Sequence, residues 1–254
     1  MTDHVNVTDD GPIRLLRLNR PSKMNALSDA MYEALAEALE NTAVSKAIKC
    51  VIITGGPTAF TSGADMQDLL YAAQHREGLR PQVVRFMHRI AHAAKPVVAA
   101  VQGVAVGIGT TMLLHCDYVV AASNARFSTP FVSLGITPEA ASSLLMPRMM
   151  GIRRAFELLV MGHPMDAQAA KAAGIVNAVV PAEDLEAEAM KAALEIAALP
   201  VEAVAASRRL IRGSLAQVVK RIDEEAEILR TRLRSDEARQ AFEAFFARDR
   251  KLPR

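Results

Sequence analysis

Two apolar runs that do not alternate, each closed by glycine, constrain this chain more than any other feature. Cys50-Val51-Ile52-Ile53-Thr54 ends in Gly55-Gly56, and Val97-Val98-Ala99-Ala100-Val101 passes through Gln102 to Gly103. A short continuous apolar run reads as a strand, and one without alternation reads as a strand covered on both faces. Behind the first run lies Ala59-Phe60-Thr61-Ser62-Gly63-Ala64-Asp65, and behind the second lie Gly103, Gly107 and Gly109. Small residues after a buried strand leave backbone N–H groups uncovered, and such donors can hold an oxyanion. The glycines also let the backbone approach a neighbour closely. Thr110 to Leu114 reads as the first turns of a buried helix, whose N-terminus adds free donors and a favourable dipole. The plainer reading of residues 59–65 is a strand-to-helix turn, with Asp65 capping a helix that begins near Met66.

Short strands and helices alternate along most of the chain, as in an α/β fold. Ile13 to Leu18 and Tyr118 to Ala122 read as strands. Ser28 is placed to cap a helix through about Asn41, with Met31, Leu35, Ala38 and Leu39 on one face. Pro81 to Ala93 reads as another helix, with Pro81 in its first turn. From about Pro200 only helical spacing remains. Leu210, Ile211, Leu215, Val218, Val219 and Ile222 recur at helical intervals, and Ile228, Leu229, Leu233, Phe242, Phe245 and Phe246 continue the apolar content. A tail this apolar needs a surface to cover it.

Composition excludes several classes of function. The chain has 254 residues, 51% of them hydrophobic, enough for a substantial core. It has no Trp, 4% aromatics and a net charge of +2, so it offers neither stacking surface nor a basic stripe for nucleic acid. No stretch is long and apolar enough to span a membrane. Cys50 and Cys116 fall in or beside apolar segments and read as reduced core residues. The first residues, Met1 to Asn6, lack an apolar signal core, and cytoplasm is the expected compartment. Gly107 and Gly109 begin a dinucleotide fingerprint, but Met112 stands where its third small residue belongs and no acidic strand end follows. His88 and His92 have the spacing of a metal pair without a third ligand. Ser62 and Ser128 lack the nucleophile-elbow pattern of a hydrolase.

Five blocks in order make the chain recognisable. They are Asn19 to Leu27, Ala59 to Asp65, Lys95 to Gly109 with Cys116-Asp117 beyond, Phe127 to Gly135 with Arg148 to Gly151, and Gly174 to Val180. The chain resembles the crotonase family, also called the enoyl-CoA hydratase/isomerase family, over almost its whole length. The resemblance implies a spiral of repeated strand-strand-helix units over 1–198 and a C-terminal helical oligomerisation region over 199–254. It implies a homotrimer or a dimer of trimers. It also implies an acyl-CoA thioester as substrate, with coenzyme A part of that substrate and no separate cofactor.

The site residues follow from the same resemblance. The oxyanion donors carry over as the backbone N–H groups of Ala64 and Ile108. Ile108 stands where many members carry glycine, so its side chain must point elsewhere and reshape the acyl pocket. Hydratases of the family resemble one another in two water-activating glutamates; Thr111 and Phe131 occupy those positions here. The loop Gly135-Ile136-Thr137-Pro138-Glu139-Ala140-Ala141-Ser142-Ser143 instead resembles the 3-enoyl-CoA isomerase branch, whose single glutamate base carries over onto Glu139. Taken alone, Pro138-Glu139 reads as the acidic first turn of a helix. Leu134, Ile136, Leu144 and Leu145 are expected to surround that carboxyl with Phe131. Contacts for the acyl-CoA carry over onto Lys23, Ala26, Ser62, Asp65, Met66 and Gln67, with Phe131 against the acyl chain. Arg20 and Lys23 are candidate phosphate partners, as are Arg248, Arg250 and Lys251 from a neighbouring subunit. A hydratase or lyase using Glu139 and water, and an acyl-CoA binder without turnover, are the alternatives.

Overall fold

Each pass of the chain lays one strand into a large sheet and the next into a small one. A computed structural model describes residues 2–75 and 78–249. The large sheet has the order β1-β2-β3-β5-β7-β10. Its strands are β1 (Val5–Asp10), β2 (Ile13–Leu18), β3 (Cys50–Thr54), β5 (Val97–Val101), β7 (Tyr118–Ala122) and β10 (Ala178–Val180). Only the β1–β2 hairpin is antiparallel. The small sheet, β4-β6-β8-β9, contains β4 (Ala59–Thr61), β6 (Val104–Val106), β8 (Arg126–Ser128) and β9 (Met165–Asp166), with β9 antiparallel to β8. So β3–β4, β5–β6 and β7–β8 are successive turns of a spiral, as the family resemblance implies.

The helices fill the spaces around these turns. They are α1 (Asp29–Val44), α2 (Met66–His75), α3 (Pro81–Ala91), α4 (Ile108–Thr111), α5 (Ser142–Met150), α6 (Ile152–Leu159), α7 (Ala167–Ala172), α8 (Leu185–Ala197), α9 (Val201–Arg212), α10 (Leu215–Leu233) and α11 (Asp236–Asp249).

The missing alternation in β3 and β5 has a direct cause. On one face Cys50, Ile52, Val98 and Ala100 pack against Leu185, Ala189 and Ala193 of α8. On the other face Val51, Ile53, Val97, Ala99 and Val101 join the main core with Leu35 of α1 and Phe86 of α3. Each fully buried Val, Ile or Phe contributes roughly 1.5–3 kcal/mol, so both faces favour this register. Ile222, Leu229 and Leu233 of α10 and Phe242 of α11 belong to that same main cluster. The last two helices are therefore part of the core that surrounds the candidate site.

Two local expectations are corrected. The apolar spacing across 210–222 reads as one helical face, but Gly213 and Ser214 divide it. Ser214 caps α10 by accepting from the Gln217 N–H. Leu210 and Ile211, on the other side of the break, are 83% and 84% exposed. Helix α1 begins after Ser28 as expected, yet the Ser28 side chain makes no capping bond. His88 does not pair with His92 as a metal site; its Nε2 lies 2.8 Å from the Asp223 carboxylate. Among the described residues no cluster of His, Cys, Asp and Glu is arranged to hold a metal. Nor is any helix long and apolar enough to cross a membrane. Cys50 and Cys116 are both free, and burial pushes each thiol up to about 12.

Candidate active site

The two small-residue loops meet back to back. A Cβ on Gly63 would stand 2.7 Å from the Val106 carbonyl oxygen, and one on Gly109 would stand 2.6 Å from the Thr61 methyl group. Only glycine permits that approach, since real Cβ atoms do not come so close. On its other side the first loop pairs with the N-terminal block. Leu27 donates to the Gly63 carbonyl at 2.8 Å, and Asp65 N–H donates to the Leu27 carbonyl at 3.0 Å. In an extended backbone successive N–H groups alternate in direction. The Ala64 N–H therefore points away from Leu27, and Ala64 lines the cavity. Buried Asn25 reinforces the contact, its side-chain amide donating to the Ala59 and Phe60 carbonyls.

Ile108 opens α4, where an N–H has no partner within the helix. Its side chain is buried in the main core, and it too lines the cavity. Neither the Ala64 nor the Ile108 N–H donates to another described residue. The expected buried helix is shorter than the sequence implied: α4 has four residues and continues as a 3-10 turn, Met112–His115. Its dipole is correspondingly small.

Beside both amides lies a cavity of about 780 Å³. Phe131, Leu134, Ile136 and Glu139 line it, as do Ala26, Met66 and Gln67. Lys23 and Ser62 stand at its exposed mouth. Leu144 and Leu145 do not line it; both are on α5, partly buried against the main core. Arg20 is also engaged elsewhere. Its guanidinium donates to the Asp65 carboxylate at 2.6 Å and to the Ala26 carbonyl at 3.0 Å. The Asp65 carboxylate accepts in addition from Gln67 N–H at 2.9 Å, which caps α2 as the plainer reading expected. Burial opposes the Asp65 charge, but Arg20 and the Gln67 N–H outweigh it and hold the carboxyl below the usual range. The side chain of Arg248, and Arg250 and Lys251, lie outside the described residues.

Glu139 is not in the first turn of a helix. Helix α5 begins at Ser142, and both Ala140 and Ala141 intervene in left-handed conformation, each at φ 57°. This turn sends the carboxyl inward, where Glu139 is only 7% exposed. Thr111 Oγ1 donates to the carboxyl oxygen at 3.5 Å. Thr111 holds the position of the first hydratase glutamate in the family resemblance, so Glu139 brings a carboxyl beside that place from a different loop. Burial first, and then the nearby Glu225 charge, raise the Glu139 carboxyl to about 8 against the opposing Thr111 bond.

Several cavity residues were not legible as such in the sequence. Tyr32, Val83, Leu229, Phe245 and Phe246 all line the same space. The last three come from the apolar tail; its unpaired apolar spacing was their only signal.

Comparison with known proteins agrees with this architecture. The family model described as enoyl-CoA hydratase/isomerase matches residues 9–251. Enoyl-CoA delta isomerase 2 of Rattus norvegicus is 36% identical over 97% of this chain, which spans 64% of the rat protein's length. A probable enoyl-CoA hydratase of Rhizobium meliloti is 31% identical over 82% of this chain and 81% of its own. The solved structure of Pseudomonas aeruginosa OdaA superposes with a TM-score of 0.91 at 43% identity, covering 96% of this chain and 99% of that one. The chain belongs to the enoyl-CoA hydratase/isomerase family and has the crotonase fold.

Proposed function

We propose that this protein is a 3-enoyl-CoA to trans-2-enoyl-CoA isomerase with Glu139 as its only acid/base. One observation carries the reading: a buried carboxyl of raised pKa shares a cavity with two uncommitted backbone amides. A thioester oxygen between the Ala64 and Ile108 N–H groups gains negative charge as the α proton leaves. Each such donor is worth about 100- to 1,000-fold in rate. Glu139 as carboxylate removes the α proton and returns the same proton at the γ carbon. The double bond moves into conjugation, and no water or redox partner is consumed. Coenzyme A enters as part of the substrate, so the steps use only the chain's own groups. The apolar walls exclude water and make the carboxylate a stronger base. Lys23, Ser62 and the backbone around Asp65 to Gln67 are proposed to receive the nucleotide arm.

Hydration of a 2-enoyl thioester is the second reading, since a named hydratase is among the relatives. It requires Glu139 alone to do the work of two carboxylates. Absorbance of the conjugated thioester separates the readings. Growth from a 3-enoyl-CoA supports the isomerase; loss from a 2-enoyl-CoA supports the hydratase; binding with neither indicates an acyl-CoA binder. Glu139→Gln is expected to lower isomerase turnover about 100- to 10,000-fold with acyl-CoA affinity retained. Near wild-type turnover in that variant ends the proposal. The exposed apolar side chains of Ile152 and Phe156 on α6, with Leu210 and Ile211 on α9, support a homotrimer or dimer of trimers, which light scattering measures directly.

A further inference from the structure

Two consecutive alanines in left-handed conformation need an external cause. Outside glycine this conformation costs about 1–2 kcal/mol per residue, and Ala140 and Ala141 adopt it together. Ala141 is also the N-cap residue of α5, and an alanine has no side chain with which to cap. The cap comes from 84 residues downstream. Glu225, on α10, accepts from the Ala141 N–H at 2.6 Å through one oxygen. Through the other it accepts from the Ser143 N–H at 3.0 Å and from the Ser143 hydroxyl. Arg221, one turn earlier on α10, donates to the same hydroxyl at 3.1 Å. Glu225 is itself 5% exposed. All three of its bonds come from donors, so an ionised carboxylate satisfies every one.

We infer that Glu225 is a positioning residue for Glu139, its carboxylate holding the strained turn that aims the Glu139 side chain into the cavity. The inference rests on the reading of Glu139 as the catalytic base. The remaining restraints on the turn are weaker. Ser142 N–H donates to the Glu139 carbonyl at 3.0 Å, and a His115 ring nitrogen lies 2.8 Å from the Ala140 carbonyl. Without Glu225 the two amides lose a buried partner and the left-handed pair loses its compensation.

Glu225 also acts through its charge. Among the described residues, Tyr32 from α1 and Glu225 from α10 are the titratable groups coupled to Glu139; His115 lies behind the turn against the Ala140 carbonyl, and Arg221 faces Glu225. Burial keeps the His115 imidazole down at about 4, so it is neutral around pH 7. Tyr32 is held neutral by burial, which raises its phenol. Burial first, and then the Glu225 charge, make Glu139 reluctant to ionise.

The test labels glutamate carboxyl carbons with ¹³C and follows the Glu139 resonance, assigned by its loss in Glu139→Gln, as pH is raised. Glu225→Gln keeps the side chain's size, removes the charge and turns an NH2 donor toward one of the two backbone amides. The Glu139 midpoint is expected to fall by about 0.5–1 pH unit, and the acid limb of the isomerase rate to move with it. Glu225→Ala is expected to lower kcat about 10- to 100-fold, with KM changed less than about threefold. If Glu225→Ala does not fold, Ser143→Ala removes one of the three bonds and is expected to cost about threefold in kcat. A purely structural Glu225 lowers activity without moving the Glu139 midpoint. A midpoint and a kcat both unchanged in Glu225→Gln overturn the inference. A midpoint that shifts while Glu139→Gln retains full turnover leaves Glu225 as the partner of Glu139 and ends only the catalytic reading.

Discussion

The loops that carry Ala64 and Ile108 and the turn that carries Glu139 line one cavity, yet they are held by different means. The loops are fixed by backbone. They leave the ends of packed strands, touch each other through Gly63 and Gly109, and pair with Leu27. The turn is fixed by side chains. It departs from relaxed backbone at Ala140 and Ala141, and a buried carboxylate from a distant helix holds it there. On the proposed reading, activation of a thioester is built into the spiral, and the proton-handling group is an attachment that could sit on another loop without disturbing the spiral. Relatives named as hydratase and as isomerase on one fold are consistent with that division.

The sharpest way to break the contrast is Gly63→Ala. The new methyl would lie 2.7 Å from a backbone oxygen at a residue with φ 90°. The loops must separate, and kcat/KM is expected to fall about 1,000-fold. Activity within tenfold of wild type would show that the Ala64 amide does not need this contact.

A second measurement sharpens the other side. The Glu139 carboxyl stands at about 8 rather than its ordinary 4.5. A folded-state pKa above the unfolded value favours the folded protein fully at pH below the unfolded value. That advantage is lost as pH rises towards 8. Glu139→Gln is therefore expected to stabilise the protein by about 3–5 kcal/mol at pH 8 and by almost nothing near pH 4. Denaturant midpoints at a series of pH values check this. A difference that stays flat between pH 5 and pH 8 contradicts it. On the proposed isomerase reading, kcat/KM is expected to rise about tenfold per pH unit until about pH 8.

The smallest effect distinguishes strain from packing. Ala141→Gly places the residue best suited to φ 57° in the turn and is expected to change stability by less than about 1 kcal/mol, in the stabilising direction. The turn gains freedom, so kcat is expected to drop severalfold while Tm rises slightly. Gly63→Ala must lower both.

The sequence revealed what depends on local burial. β3, β5 and β7 were legible because strands covered on both faces are apolar throughout. The Asp65 cap was legible because capping acts within two residues. Long-range arrangements were not. Glu225 lies in Asp223-Glu224-Glu225, which has the look of a solvated helical face, and only the fold brings it under Ala141. Arg20 reads as a free phosphate partner until Asp65 is found 2.6 Å away. The break at Gly213 was hidden because apolar spacing continues across it, and Leu210 and Ile211 emerge on the exposed side.

Leu229, Phe245 and Phe246 line the same cavity as Ala26, Ala64 and Ile108. The order of synthesis therefore matters. A nascent chain emerging from the ribosome lacks, until its end, Ile222, Leu229, Leu233 and Phe242 of the main core, the aromatic wall of the cavity and the Glu225 carboxylate. On the proposed reading, a product halted before the final two helices would lack both one wall of the acyl pocket and the restraint on Glu139.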